Sequence, residues 1–421
     1  MSSSPDPSTN RPEPLANSAK NDQAHQAEHP PLFFQLCAAV LCERWAAFMV
    51  ISTAALMLCE RCGFTRADAL RIWGAFSAAS YFGSLPGGYI LDRSGSRARG
   101  LWLSTLLLLL GYLVLSLPYR RTVLVALGLL VVGHSLYKPS TQRLLSSIHQ
   151  ASDISPERAQ IMVYIAANLG ATAGSVLAGL LLRDAGWSVT YGCAALMMSL
   201  GGVLLSLQSG AQHPVSPSAK FAIPPNETQD TISTPLPTAL IAGLTLAMFL
   251  FTLCTAQAEG ALLLWAKDRI DRTCFGFEVP IAWFMAFPAA LVLLLAPIQL
   301  ALMPIISRKV ETSKLVALGL LAAALSFVVL LPTTLWQGHL SMGWLVASLS
   351  FFVMAELLIA PLGISLLLRN TPKQFVGVVT GLWYGAGALG YYAGGEIGAL
   401  WSRWPTRNTA SRTSPATSAT P

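Results

Sequence analysis

Four charged side chains stand inside long apolar runs. Glu43 and Arg44 are adjacent in "LCERWAAFMV", Lys138 lies in "GHSLYKPSTQRLL", and Glu356 lies in "AELLIAPLGISL". On membrane-insertion scales a charge at mid-helix costs about 2.5–3.5 kcal/mol. A long cationic side chain escapes that cost only near a helix end. Lys138 and Glu356 fall near the middle of their blocks, and Glu43 and Arg44 are well inside theirs. Opposite charges at about 4 Å attract by about 4 kcal/mol at an effective dielectric near 20, which offsets much of the insertion cost if Glu43, Arg44 and Lys138 meet in the interior. The chemistry open to such a group is reversible proton binding. A carboxylate whose cationic partner is drawn away becomes a proton acceptor. The alternative is a static pair that only fixes helix packing. Ionisable groups inside membranes are rare and mark ion pathways and proton relays, which favours function here.

The elements that hold these charges follow from composition. Of 421 residues, 53% are hydrophobic and only 11% charged, against about 25% charged in a soluble domain. Such a chain cannot cover a water-facing surface. Its apolar blocks are about 20 residues long, enough to cross a bilayer as helix. They fall at 33–58, 70–91, 101–118, 122–148, 159–182 and 189–208, then at 237–265, 281–306, 314–332, 341–368 and 375–402. The chain reads as an all-α polytopic membrane protein with about eleven spans. Residues 33–208 form an N-terminal six-helix bundle, 209–236 a polar Pro-rich linker, and 237–402 a C-terminal helical bundle. Residues 1–32 and 403–421 have the composition of disordered tails. Two bundles around a central path normally match in helix number, so a last helix is missing from this pattern. Pro288, Pro297 and Pro304 share one span, and Pro139 and Pro361 lie mid-span. Each removes a backbone donor and bends its helix.

Other features narrow the class. The N-terminal stretch lacks the basic-then-apolar order of a cleavable signal. With the N-terminus in the cytoplasm, Arg93, Arg97, Arg99, Arg308, Lys309, Lys314, Arg369 and Lys373 fall in cytoplasmic loops, as the positive-inside rule expects. Arg61, Arg66, Arg71, Arg120 and Arg121 run against it. The net charge of +7 comes without a basic stripe interleaved with aromatics, which argues against nucleic acid. No G-x-x-x-x-G-K-[ST] loop is present, which argues against a nucleotide-driven pump. Cys59 and Cys62 in "CERC" supply only two of the four ligands of a structural zinc, and read best as small apolar residues at a helix end. In "GGYILDRSGSRARG", Gly87 and Gly88 allow close helix approach, while Asp92, Arg93 and Arg97 can tie one helix end to a neighbour as a gate.

These stretches resemble a known family. "GGYILDRSGSRARG" resembles the loop between the second and third helices of the major facilitator superfamily. Four more stretches resemble the proton-dependent oligopeptide transporters. "GHSLYKPSTQRLL" is similar to G-N-G-L-F-K-P-N on helix four, and "VYIAANLGA" to F-Y-x-x-I-N-I-G on helix five. "AELLIAPLGISL" is similar to G-E-L-x-x-S-P-x-G-L-S on helix ten, and "GLWYGAGALGYYAGG" to G-x-W-x-x-x-x-A-L-G-N-x-x-A-G on helix eleven. The matches run in order over residues 33–402.

The resemblance implies a symporter that takes up di- and tripeptides with protons by alternating access. It makes Glu43, Arg44 and Lys138 the proton-coupling network, from the helix-one E-x-x-E-R motif and the helix-four lysine. It makes Glu356 the partner of the peptide's amino terminus and Asn168 a partner of peptide backbone. Lys138 doubles as a substrate-binding cation, and Tyr81, Tyr164 and Trp383 match aromatic pocket positions, although each aromatic fits ordinary helix packing as well. The implied partners are a small-molecule substrate, short peptides above all, and the lipid bilayer. No cofactor is implied beyond the proton as coupling ion. The expected state is a monomer in the cell (inner) membrane, not an enzyme.

The departures are substantial. The first glutamate of E-x-x-E-R is Val40, and the tyrosines and arginine that follow in the family are replaced in "ERWAAFMVI" by Ala47, Phe48 and Ile51. The helix-seven acid position is Ala256, with Gln257 kept and Glu259 three residues on as a candidate substitute. These losses leave open a same-fold transporter or uniporter of another small organic solute, or a non-transporting sensor or decayed copy.

Overall fold

The computed structural model describes residues 29–94, 97–117, 119–150, 156–206, 237–306, 308–335, 339–372 and 375–402. Residues 1–28, 95–96, 207–236 and 403–421 are among those outside them, and residues 29–32, expected as the end of a disordered tail, belong instead to the first helix. The described residues form eleven long helices. The first six are α1 (His29–Ile51), α2 (Arg66–Ser94), α3 (Arg97–Ser116), α4 (Arg120–Gln150), α5 (Pro156–Asp184) and α6 (Gly186–Ser206). The remaining five are α7 (Thr238–Ala256), α8 (Trp283–Ile306), α9 (Thr312–Val328), α10 (Met342–Arg369) and α11 (Val376–Ser402). Nine helical stretches are long and apolar enough to cross a bilayer, which makes the chain an integral membrane protein. Leu103, Leu106, Leu110 and Leu113 of α3, and Leu318, Leu321 and Leu325 of α9, are exposed at helical spacing. Lipid covers such faces at no cost, because hydrocarbon is as apolar as leucine.

Two of these helices do not run as simple α-helix to their ends. Beyond α1 the chain continues through Ala54–Leu56 into a π-helical turn at Met57–Arg61. Helix α7 passes through a π-helical turn at Gln257–Ala261 and resumes as helix over Leu262–Arg269. An extra residue in a turn redirects side chains, and such turns recur at functional sites. Two-residue strands β1 (Ile270–Asp271) and β4 (Leu340–Ser341) pair in parallel. Strands β2 (Thr273–Cys274) and β3 (Phe277–Glu278) close a hairpin through Phe275 and Gly276. Both turn residues have positive φ, 50° and 80°, the left-handed pair that a two-residue hairpin requires.

Within the first half α1 packs on α5 and α6, α4 packs on α2 and α3, and α3 also packs on α6. In the second half α7 packs on α11, and α10 on α9 and α8. The halves meet along α2–α11 and α5–α8. Trp283 Nε1 of α8 donates to the Val176 carbonyl of α5 at 3.0 Å. At the other seam the backbones nearly touch. A Cβ added to Gly74 of α2 would lie 2.7 Å from Gly395 Cα of α11. Helices α4 and α10 run through Pro139 and Pro361. Pro139 frees the Ser135 carbonyl from its helical bond. Gly87 of α2 packs against that carbonyl, where a Cβ would stand only 2.2 Å away.

Candidate functional site

Glu43 is 1% exposed and Arg44 is 23% exposed. Consecutive residues on a helix point about 100° apart, so Arg44 folds back over its own backbone to reach Glu43. It does so with both arms: Nε donates to Oε2 at 2.6 Å and Nη2 to Oε1 at 3.0 Å. The forked geometry is the strong form of an ion pair. A third group closes the carboxylate from α4, where His134 Nδ1 stands 3.2 Å from Glu43 Oε1. Lys138 was expected to pair with Glu43 and Arg44. Instead, among the described ion pairs, Glu43 meets Arg44 and His134. The Lys138 ammonium lies 5.1 Å from the Tyr81 ring centre, over its face. The two positions on α4 are four residues apart, one turn, so His134 takes the inner contact and Lys138 the outer one.

Beyond Lys138 the site crosses between the halves. Tyr81 of α2 lies 5.1 Å from Tyr391 and 6.3 Å from Tyr384, both on α11, between ring centres. The Tyr391 hydroxyl makes a long contact, 3.5 Å, with Glu259 Oε1 in the π-turn of α7. The neighbouring Gln257 Nε2 ties that turn to the Gly394 carbonyl at 2.5 Å. Lys138 is in electrostatic reach of Arg44, Glu43 and Glu259. Glu356 is in reach of Glu259, Tyr81, Tyr164 and Tyr391. Lys138, Glu259 and Glu356 are all half-buried, enclosed by protein but open to solvent. The result is a basic wall of Arg44 and Lys138, an aromatic middle, and an acidic wall of Glu259 and Glu356.

The other sequence-predicted positions divide. Tyr164 is 39% exposed on α5. Asn168, half-buried one turn along, donates its amide to the Tyr164 carbonyl at 3.0 Å. Trp383 is packed away at 3% exposure, in a cluster with Phe352, Ala355 and Ile359. Its ring fills the space over Gly363 of α10. Ala256 is buried. Of the expected gate, Arg93 stacks over its own helix's Tyr89 at 4.6 Å, and the side chains of Asp92 and Arg97 lie outside those described.

A set of ion pairs closes the opposite end. Lys267 pairs with Glu60, Arg66 with Asp268 at 2.5 Å, and Arg71 with Glu396 at 3.0 Å. All three join the first half to the second where α1 finishes and α2 begins. At the same end Arg61 donates to the Leu115 and Ser116 carbonyls at 3.0 Å each, capping the last turn of α3. Cys59 and Cys62 are both free thiols there.

A model of the Major Facilitator Superfamily matches residues 36–395. The chain belongs to this superfamily. Among curated relatives, this facilitator is 24% identical to the peptide transporter YePEPT of Yersinia enterocolitica, over 88% of each chain. It is also 24% identical to dipeptide and tripeptide permease B of Edwardsiella piscicida, over 87% of this chain and 86% of that one. A solved peptide transporter POT in complex with sulfate superposes with TM-score 0.79 at 22% identity, over 91% of both chains. A POT family transporter in complex with 5-aminolevulinic acid gives 0.75 at 19% identity, over 87% of this chain and 90% of that one.

Sequence reasoning about the facilitator missed His134, Tyr384 and Tyr391. The signal for His134 was its place one turn before Lys138 in an apolar block. A count of formal charges passes over a neutral imidazole.

Proposed function

We infer that the chain is a secondary active transporter that takes up di- and tripeptides together with protons, by alternating access. The observation that carries this reading is the placement of opposite charges on the two halves. Arg44 and Lys138 come from the first, Glu259 and Glu356 from the second, and three tyrosines stand between. A zwitterionic peptide needs an anion for its amino terminus and a cation for its carboxylate. Ends held on different halves also couple binding to the relative motion of those halves. An aromatic middle accepts varied side chains. The relatives named as peptide transporters and permeases support the same substrate class.

The residue roles follow. Glu356 receives the amino terminus, Lys138 and Arg44 the carboxylate, and Asn168 an amide. Glu43 releases Arg44 when substrate arrives and a proton takes its place. Glu259 stands in for the acid that Ala256 lacks. Asp92, Arg93 and Arg97 serve the α2–α3 end as a gate. The proton is the coupling ion, and no other cofactor enters. The protein works as a monomer in the cell (inner) membrane with its N-terminus cytoplasmic.

The test is purified protein in liposomes with an inward proton gradient and a labelled dipeptide. Concentration above equilibrium supports the reading. Equilibration alone rejects proton coupling and leaves a uniporter, while binding without flux leaves a sensor. A second reading, a different small amino-carboxylate solute, is favoured by Ala47, Phe48 and Ile51 on α1, which remove groups for gripping a peptide. A panel of dipeptides and single amino acids in the same assay separates the two.

A further inference from the structure

Glu43 is the most enclosed charge in the site, and its second oxygen faces an imidazole. We propose that His134 and Glu43 together form the proton-binding site of this transporter, with the imidazole taking the coupled proton when Arg44 leaves. The proposal rests on the proton-coupled reading above and names the site that reading requires.

Three observations carry it. His134 is buried, and its Nδ1 is 3.2 Å from Glu43 Oε1, yet it has no aligned hydrogen bond. The ring thus rests against a carboxylate that Arg44 already satisfies, within reach of a hydrogen bond. Arg44 is the only one of the three with appreciable exposure, so it is the arm a substrate carboxylate can draw away. Its departure would leave a buried carboxylate without a cation, which costs several kcal/mol. An adjacent imidazole offsets this by taking one proton from the aqueous phase that the substrate enters from, to be released later on the other side, and Nδ1–H then donates to Oε1. The return of Arg44 expels the proton. One positive charge replaces another, so the buried carboxylate stays neutralised throughout. The third observation is in the chain itself. Val40 stands where the resembled motif has its first acid, and His134 stands where the helix-four signature has asparagine. A titratable group is lost on α1 and one is gained on α4, beside the remaining acid.

The charged groups that act on the imidazole are Glu43 and Arg44 on α1 and Lys138 on α4 itself, and Tyr137 of α4 and Cys42 of α1 lie by the same Glu43–Arg44 pair. Tyr112 on α3 faces the same pair, and Tyr81 on α2 faces Lys138. Among them only Glu43 and Arg44 form ion pairs with each other or with His134 in the described residues.

The experiment compares the parent with His134→Asn and His134→Gln in liposomes, using a labelled dipeptide. With a gradient of one pH unit, one-proton symport supports up to about tenfold accumulation, since a pH unit is worth about 1.4 kcal/mol. The parent accumulates, whereas both variants fall to equilibration and keep counterflow exchange. A variant that accumulates like the parent overturns the proposal. A parent without counterflow rejects the peptide reading instead, and the site is then read without substrate. For that, the full chain labelled with nitrogen-15 histidine is titrated by NMR, the His134 signal being the one lost in His134→Asn. In Arg44→Gln the imidazole takes its proton at a pH where the parent's is neutral. Identical titration in the two proteins overturns the proposal, whatever the substrate.

Discussion

Glu43 and Glu356 are both acids inside apolar helices, but their surroundings give them different tasks. Glu43 is enclosed by Arg44 and His134, which fits the proposed proton site better than a substrate contact. Glu356 is half-buried among Tyr81, Tyr164 and Glu259, open to a ligand ammonium. Replacing Glu356 by Gln keeps the shape and removes the charge. A charge-assisted hydrogen bond contributes about 1.5–3 kcal/mol, so dipeptide affinity should fall about 10- to 100-fold by calorimetry. Unchanged affinity would remove Glu356 from the site. Glu43→Gln should leave exchange intact and abolish gradient-driven accumulation, and a variant that still concentrates dipeptide refutes the assignment. These two acids were legible in the sequence because a charge at mid-span is conspicuous. The true neighbour of Glu43 was not. His134 and Lys138 are a turn apart on one helix, and a linear string does not say which of them reaches α1.

At the scale of elements, α2 and α11 form the larger of the two seams between the halves. Neither is among the stretches long and apolar enough to count as a span by composition, since glycine, tyrosine and polar residues dilute the apolar ones in both. Their contact depends on absent side chains. Gly74→Ala places a Cβ 2.7 Å from Gly395 Cα and 2.9 Å from the Tyr391 carbonyl. Backbone cannot step aside as a side-chain tip does. Overpacking costs about 1–3 kcal/mol, and here it also displaces Tyr391 from Glu259. Gly74→Ala should therefore lower both thermal stability in detergent and transport rate, while Gly128→Ala, which meets nothing within 4 Å, should change neither. Equal effects at the two glycines would sink the close-packing account. The apolar blocks themselves were readable because a bilayer demands about 20 apolar residues per helix. The π-turn at Gln257–Ala261 was not, since one extra residue leaves composition unchanged while it redirects Glu259.

For the whole molecule, the three ion pairs at the α1–α2 end join the two halves. Each is partly exposed, and an exposed pair contributes at most about 1 kcal/mol. Together they bias the halves toward closure at this end without locking it, as a cycle needs. Alternating access requires these partners to separate once per turnover. Replacing Arg66 and Asp268 by cysteine in a background without the seven native cysteines puts one thiol on each half, on residues already in contact. A short bifunctional thiol reagent with a reducible link should then stop counterflow, and reductant should restore it. Dipeptide binding should persist in the bridged protein if alternating access opens the site from the other end. Continued counterflow with the bridge verified by electrophoresis would mean that the halves do not part here. The same bridge with lost binding would mean that substrate enters from the α1–α2 end alone. Only loss of flux with binding kept fits a site between two halves that open in turn.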